Sequence, residues 1–193
     1  LNGTKAQDDL LKLAANVEVA EFALRALTDR KDELKGLKKD VFVSALDSKN
    51  LRLRAQALVS LGRLGDDSAA ANILSHAALP KLEKRPAHNE ANAAAVLPHL
   101  ATRALVALKP VDTLLNTLDG TYGPIALNVL KYIHEDKVVA TLNARAAKNP
   151  DPDILSTLVR LYHREGEYKS GWWGTRPDTS GPYFAREKWS GSD

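Results

Sequence analysis

Apolar residues recur along this chain at the spacing of an amphipathic helix, and the clearest example is the stretch 54–77. Its first half places four apolar side chains on one helical face: Ala57, Leu58, Leu61 and Leu64. Gly65 interrupts this run, and Asp66 is placed to cap a second helix. The second half resumes the same period with Ala70, Ile73, Leu74 and Ala77. We interpret the stretch as a helical hairpin, and because neither helix can bury its apolar face alone, similar units are expected to stack on both sides.

One short phrase of this pattern recurs along the chain: an alanine or threonine, a leucine directly after it, and another leucine three positions later. The phrase begins at residues 23, 57, 104, 126 and 157. The copies at 57 and 126 are each followed by an acidic helix start, Asp66–Asp67 and Glu135–Asp136. A shared start and stop indicates a true repeat more strongly than shared leucines do.

The intervals between the copies are irregular, and they contain the remaining predicted helices. Near the beginning, the pattern predicts a short helix after Asp8 and Asp9, a second from about 17 to 28, and a third from about 38 to 46. The short interval before 126 leaves room for one helix, whose apolar face contains Val111, Leu114, Leu115 and Leu118. The long interval before 104 contains an insertion at about 79–98.

Proline placement tests these assignments independently, because a proline inside a helix costs about 3 kcal/mol or more. All nine prolines fall at junctions between predicted helices. Pro110, Pro124 and Pro152 lie in the first helical turn, which tolerates proline, and Asp151 is placed to cap the helix that Pro152 begins. A wrong set of helix boundaries is not expected to pass this test.

Because of this repeated phrase and the predicted helix pairs, residues 17–165 resemble the HEAT and HEAT-like repeat family. The resemblance implies antiparallel helix pairs that stack into a right-handed solenoid. We therefore predict an all-α chain, in which residues 1–165 form a right-handed α-solenoid of about five HEAT-like helix pairs. An extended, aromatic-rich C-terminal tail is predicted for residues 166–193.

The insertion at about 79–98 combines two turn-forming prolines, an alanine run and a basic cluster of Lys81, Lys84 and Arg85. It is predicted to be a surface loop with a short helix. Long excursions from a repeat body often carry contacts, so these three basic residues are candidate binding residues. The alternative interpretation is that the insertion is only a spacer.

The composition changes at Gly166, and all three tryptophans lie in the tail that follows. Glycines and prolines in this tail disfavour a long helix. Its candidate binding residues are aromatic rings with two polar neighbours: Trp172, Trp173, Arg176, Asp178 and Tyr183. One interpretation is a platform for a sugar, haem or nucleobase. The other is a cap that covers the apolar end of the last repeat near Leu158, Leu161 and Tyr162.

Composition and motifs exclude several kinds of site. The chain has no cysteine, which excludes disulfides, thiolate metal ligands, a thiol nucleophile and a CxxCH haem attachment. Its five histidines do not pair at ligand spacing, and no GxSxG, phosphate-binding or dinucleotide-binding motif is present. We therefore predict no catalytic residues, no metal site and no cofactor. No apolar run reaches the roughly 18 residues of a membrane span, so none is predicted.

Charge gives a weaker indication about partners. The 193 residues include 27 Lys and Arg against 24 Asp and Glu, and the two signs are interleaved along the predicted helices. Interleaved charges are typical of a solvated helix face, whereas a groove that follows phosphates needs a continuous positive stripe. The charge pattern therefore disfavours nucleic acid as a partner.

Two further phrases, VLPHLATRALVAL (96–108) and GWWGTRPDTSGPYF (171–184), carry a second resemblance. They look similar to the HEAT segment of large, secreted, planctomycete-type bacterial proteins that contain c-type cytochrome or sugar-dehydrogenase-like domains. This resemblance implies a periplasmic or secreted accessory region of a larger polypeptide. The absence of a CxxCH motif departs from that family and assigns no redox function to this chain.

The predicted function is a non-catalytic scaffold or protein-interaction module, whose partner is a protein or a neighbouring domain of the same polypeptide. The main alternative is a HEAT-like nucleic-acid-binding protein of the alkylpurine-glycosylase type, in which aromatic and carboxylate residues line a basic concave face. A segment of a carbohydrate-active enzyme is a third interpretation. Steeply salt-dependent binding to duplex DNA would favour the main alternative, and glycan hydrolysis by this chain alone would favour the third.

Overall fold

The computed structural model describes residues 6–30, 34–78 and 95–162. Within these ranges the backbone forms ten α-helices and no β-strand, so the predicted all-α class is confirmed. The helices are α1 (Gln7–Ala14), α2 (Ala20–Thr28), α3 (Asp40–Ala45), α4 (Leu51–Leu64), α5 (Ala70–Leu74), α6 (Val96–Leu108), α7 (Val111–Thr117), α8 (Gly123–Leu130), α9 (Asp136–Lys148) and α10 (Pro152–Tyr162). Two 3-10 turns, Asp67–Ala69 and Ser75–Ala77, flank α5.

The residues at the two ends of α4 explain its length. Before the helix, the Asn50 side-chain oxygen accepts hydrogen bonds from the backbone N–H groups of Arg52 and Leu53, at 3.0 and 3.4 Å. After the helix, Gly65 has a φ of 75°, a left-handed conformation that glycine adopts without a steric penalty. The Gly65 N–H then donates to the Leu61 carbonyl oxygen, which closes the last turn. The predicted break at Gly65 is confirmed.

The two predicted aspartate caps are also confirmed. The Asp66 carboxylate accepts a hydrogen bond from the Ser68 backbone N–H at 3.1 Å. The Ser68 hydroxyl donates to the same carboxylate and lowers the pKa of Asp66. Asp151 accepts from the N–H groups of Asp153 and Ile154, at 2.8 and 3.1 Å, directly beside the proline that begins α10. Each carboxylate thus satisfies donors that the start of a helix leaves free.

One predicted boundary needs correction at the end of the insertion. The sequence interpretation extended the insertion to Pro98, but α6 begins at Val96, and Pro98 is buried in its first turn. A proline is tolerated there because the N–H groups of the first turn have no partner within the helix. The rest of the insertion, residues 79–94, lies outside the described residues.

The five copies of the repeated phrase fall in every second helix, from α2 to α10. The residue that opens each copy is buried in all five: Ala23, Ala57, Ala104, Ala126 and Thr157. The leucine that closes each copy is buried as well: Leu27, Leu61, Leu108, Leu130 and Leu161. The phrase therefore marks the inward-facing side of each even-numbered helix.

Residues 1–126 form one compact unit, in which even-numbered helices pack against the helix before them. Helix α1 packs on α2, α3 on α4, and α5 on α6, while α2, α4 and α6 pack in series. This arrangement corrects the predicted hairpin, which paired the helix at 54–64 with the one at 70–77. The five-residue α5 packs chiefly against α6, and α4 packs chiefly against α2, α3 and α6.

A glycine allows α4 and α6 to approach closely. A Cβ atom added to Gly62 would lie 3.0 Å from the Ala104 Cα and 3.3 Å from its Cβ. Contacts of this length are tighter than nearly all real Cβ contacts, so a side chain at position 62 would require the two helices to move apart by a few tenths of an ångström.

Buried hydroxyl groups add a specific contact between α2 and α4. Thr28 and Ser60 are both fully buried, and their hydroxyl oxygens lie 2.9 Å apart. Each hydroxyl also lies within hydrogen-bond distance of the Leu24 carbonyl oxygen, at 3.2 and 3.3 Å. Gln56 Nε2 donates to the Ser60 hydroxyl at 3.1 Å. Because a buried polar group without a partner is costly, this cluster favours one register between the two helices.

Residues 127–193 form the second unit, of which the structure describes the part up to Tyr162. Here α9 packs against α10. The buried side chains of these two helices are Val138, Val139, Leu142, Thr157, Leu158 and Leu161. At the edge of the pair, Asn143 Nδ2 donates a hydrogen bond to the Tyr162 hydroxyl at 2.7 Å. The predicted tail, residues 166–193, lies outside the described residues.

Candidate interaction surfaces

The binding residues predicted from the sequence lie outside the described residues. This holds for the basic cluster of the insertion and for the aromatic tail: Lys81, Lys84, Arg85, Trp172, Trp173, Arg176, Asp178 and Tyr183. Their roles therefore stay predictions. The described residues contain no group of three or more His, Cys, Asp or Glu side chains that could hold a metal ion. None of the described helices is long and apolar enough to cross a membrane.

An open pocket of about 320 Å³ lies between the first four helices, and we call it the N-terminal pocket. Its lining residues come from α1 to α4 and the adjoining turns: Leu11, Ala14, Ala15, Leu24, Val41, Ser44, Ala45, Ser48 and Leu53. No charged and no aromatic side chain belongs to this lining. The pocket therefore offers an aliphatic wall.

The pocket exists because α1 covers its neighbours incompletely. None of the eight residues of α1 is buried, and its leucines, including Leu11 and Leu13, keep part of their surface in water. Small side chains at Ala14, Ala15 and Ala45 line the space without filling it. Helix α1 therefore packs on α2 but leaves an uncovered recess beside it.

The two serines of the pocket use their hydroxyl groups locally. Ser44 Oγ donates to the Val41 carbonyl oxygen at 3.0 Å, and Ser48 Oγ accepts from the Asn50 N–H at 3.1 Å. With these bonds made, the wall presents few free polar groups to a ligand. The chemistry that fits such a recess is an aliphatic side chain rather than a charged or strongly polar group.

Basic side chains on the α2–α4 surface are paired with nearby carboxylates. Arg52 Nε lies 3.0 Å from Glu21 Oε2 at one end of the two helices. At the other end, Arg63 Nη1 lies 2.8 Å from Asp29 Oδ1, and Arg25 Nε lies 3.5 Å from the same carboxylate. Exposed pairs of this kind add only about 0–1 kcal/mol each to stability. Their main consequence is that positive charge on this surface is locally compensated.

A second apolar surface lies on the last described helix. Leu155, Val159 and Tyr162 of α10 are 44%, 69% and 40% exposed, and their spacing places them on one side of the helix. We call this surface the α10 face. The sequence interpretation placed the contact of the tail with the last repeat near Leu158, Leu161 and Tyr162. Leu158 and Leu161 are buried, and the capping role of the tail stays a prediction. The signal that was missed is a second apolar stripe, at positions 155, 159 and 162, beside the repeated phrase.

His76 is the described histidine with the clearest electrostatic setting. It is half-buried in the 3-10 turn after α5, and Arg54 Nη2 lies 3.3 Å from its Nδ1. Because a guanidinium only donates, Nδ1 acts as the acceptor, and the neutral ring carries its proton on Nε2. Burial lowers the pKa of His76, the Arg54 charge lowers it further, and Asp47 opposes both effects.

We expect this histidine to make stability depend on pH. Since its pKa is lower in the folded chain than the ordinary value of 6.5, the unfolded chain binds more protons between those two values. Stability is therefore expected to fall as the pH drops through about 6.5, until the folded-state pKa is passed. The measurement is urea unfolding of wild type and His76→Gln between pH 7.5 and 5, and the variant is expected to lose less stability on acidification. His99→Gln, which changes an exposed histidine, is the matched control. If the free energy of unfolding changed equally with pH in all three proteins, the prediction would be contradicted.

Comparison with known proteins adds no family to this description. No family model matches the chain, and no curated protein matches it.

Proposed function

We propose that this chain is a non-catalytic protein-interaction module whose helix pairs form a right-handed, HEAT-like solenoid. The serial packing of α2, α4 and α6, each with a preceding helix at its side, supports a repeat architecture. The observation that carries the function is the N-terminal pocket, an uncovered aliphatic recess of about 320 Å³. That volume falls at the small end of the roughly 300–1,000 Å³ typical of ligand clefts.

A protein partner fits this recess better than a nucleic acid does. Phosphate recognition depends on unpaired basic side chains, while the pocket lining has no charged residue and Arg52 and Arg63 nearby are paired with carboxylates. An amphipathic helix of a partner, by contrast, inserts aliphatic side chains into an apolar groove and places polar ones at its rim. The proposed contact is thus one apolar ridge of a partner protein in the N-terminal pocket.

The resemblance to secreted planctomycete-type proteins extends the proposal to the setting of the module. In that setting, the chain is an extracytoplasmic segment of a larger polypeptide, and the partner is either a neighbouring domain or a separate protein. The complete open reading frame tests this part, because it contains any signal peptide and any adjoining domains. A full-length frame without either would contradict the extension but leave the pocket proposal standing.

We expect that filling the pocket weakens partner binding without unfolding the chain. Ala45→Arg introduces a long charged side chain at the pocket wall, and Ala107→Arg on the exposed surface of α6 is the matched control. A partner is captured from a native extract by cross-linking to wild type, identified and purified, and then titrated against all three proteins by calorimetry. Wild type and Ala107→Arg are expected to bind with the same affinity, and Ala45→Arg is expected to bind at least about ten-fold more weakly, since burying an unpaired charge is costly.

Two results would count against the proposal. Equal affinity of all three proteins for every reconstituted partner would show that the pocket is not the contact surface. Tight binding to duplex DNA, with an affinity that falls steeply as salt rises, would instead favour the nucleic-acid alternative. Circular dichroism of the Ala45→Arg variant must match wild type before its binding is interpreted.

A further inference from the structure

We propose that Arg54, held in place by His76, is a binding site for a carboxylate group. The Arg54 Nη2 atom lies 3.3 Å from His76 Nδ1, so the guanidinium of α4 stands beside the imidazole of the 3-10 turn after α5. Neither residue lines the N-terminal pocket. This site is therefore separate from the one in the proposed function, and either can be present without the other.

The charge of Arg54 is not compensated in the way that the charges of its neighbours are. In the part of the chain that the structure describes, Arg54 is the one arginine of α4 with no carboxylate at ion-pair distance, whereas Arg52 and Arg63 each have one. Arg54 follows Arg52 by two positions, which places it on the opposite side of the helix. Its side-chain partner there is His76, whose neutral ring accepts the hydrogen bond and leaves the positive charge in place.

The surroundings of this guanidinium make it a stronger anion site than an exposed arginine. Among residues 6–30, 34–78 and 95–162, no atom accepts a hydrogen bond from Arg54 Nε, and this nitrogen is buried. The loss of water around Nε is therefore not offset by a hydrogen bond. Because the charge is delocalised over all three nitrogens, an anion at the solvent side of the half-buried guanidinium also stabilises Nε. Partial burial reduces screening, which strengthens that attraction.

The charges around the pair favour a singly charged anion. Asp47, in the turn after α3, is close enough for its negative charge to raise the pKa of His76. A doubly charged phosphate is repelled by this carboxylate about twice as strongly as a singly charged anion at the same distance. A carboxylate also matches the planar guanidinium, since its two oxygens accept two parallel N–H bonds. The ligand class that fits is thus a carboxylate, from either a small free acid or an acidic side chain of a protein.

NMR spectroscopy of the full chain tests this site. At pH 7.5, where the lowered pKa of His76 keeps its ring neutral, sodium acetate replaces sodium chloride at constant ionic strength. The Arg54 Nε–H signal and the His76 ring signals are expected to shift in a saturable manner. Burial of the Nε–H group slows its exchange with water, which makes this signal observable. Sodium phosphate at the same ionic strength is expected to bind more weakly than acetate.

Variants assign the binding to Arg54. Arg54→Gln removes the charge but retains a good helix former, and it is expected to weaken acetate binding at least about ten-fold, as read from the His76 signals. Arg63→Gln is the same change in the same helix, at an arginine that is paired with Asp29, and this control is expected to bind acetate as wild type does. Asp47→Asn is expected to strengthen phosphate binding more than acetate binding, because it removes the nearby negative charge.

A second titration distinguishes the two sources of the carboxylate. Its probe is an alanine–glutamate–alanine tripeptide with blocked ends, whose glutamate side chain carries the tripeptide's one carboxylate. Tighter binding of the tripeptide than of acetate assigns the site to an acidic side chain of a protein. Tighter binding of acetate assigns it to a small free acid.

Three outcomes would overturn the proposal. In the first, neither acetate nor the tripeptide causes a saturable shift in wild type. In the second, Arg54→Gln is folded and binds acetate as tightly as wild type does. In the third, phosphate binds wild type more tightly than acetate does. If Arg54→Gln alters the circular dichroism, Arg54→Lys replaces it, and weaker acetate binding is again expected because lysine retains the charge but lacks the planar pair of donors.

Discussion

Replacement of Phe42 by alanine is expected to destabilise the unit formed by residues 1–126 by about 3–5 kcal/mol. Phe42 is the largest of the fully buried side chains among the described residues, and its helix, α3, packs on α4. Removal of a fully buried ring leaves a cavity that the surrounding core refills only in part. Because most domains are stable by only about 5–15 kcal/mol, a loss of this size is expected to leave much of the population unfolded near physiological temperature.

Urea unfolding followed by far-UV circular dichroism measures this change. Phe22→Ala is the matched control, because Phe22 lies exposed on α2 and its loss is expected to change stability by no more than about 0.5 kcal/mol. Phe42→Leu retains most of the buried volume, so its free energy of unfolding is expected to lie between those of Phe42→Ala and Phe22→Ala. If Phe42→Ala were as stable as Phe22→Ala, the packing of α3 on α4 would be wrong.

The same substitution has a consequence for binding. Val41 and Ala45, on either side of Phe42 in α3, line the N-terminal pocket. A displaced α3 would change the shape of that pocket, so the Phe42→Ala chain that remains folded is expected to bind the pocket's partner more weakly. This result would connect the core of the repeat to the proposed function.

The second large effect is expected at the crossing of α4 and α6, where Gly62→Val should destabilise the chain by about 1–3 kcal/mol. The added Cβ would lie 3.0 Å from the Ala104 Cα, and the branched methyl groups would crowd the contact further. Glycine is otherwise a poor helix residue, so a substitution in a helix without this contact is expected to be favourable or neutral. A loss of stability in Gly62→Val therefore indicates that the two helices approach closely at this position.

Ala107→Val provides the control for this prediction, because it places the same side chain on the exposed surface of α6. Its expected cost is limited to the lower helix propensity of valine, about 0.5 kcal/mol. Thermal unfolding of both variants gives the comparison. A melting temperature of Gly62→Val at or above wild type would contradict the proposed spacing of α4 and α6.

Local patterns were sufficient to predict much of the helical content. The break at Gly65 and the caps at Asp66 and Asp151 are short-range effects, since each involves hydrogen bonds between residues a few positions apart. The repeated phrase likewise identified the buried sides of the even-numbered helices, because helical periodicity determines which residues share a face. The roles of Trp172, Arg85 and the other candidate binding residues stay predictions, since they lie outside the described residues.

Other features depend on which helices meet, and a pattern along the chain does not contain that information. Periodicity showed that α4 has an apolar side, but not that this helix packs on α3 and α6 rather than pairing with α5. Nor did it predict that small residues such as Ala14 and Ala45 would leave a pocket open, or that Leu155 and Val159 would stay exposed while Leu158 became buried. The physical reason is that burial follows from the shape and distance of a neighbour far along the chain, whereas periodicity ranks only the sides of a single helix.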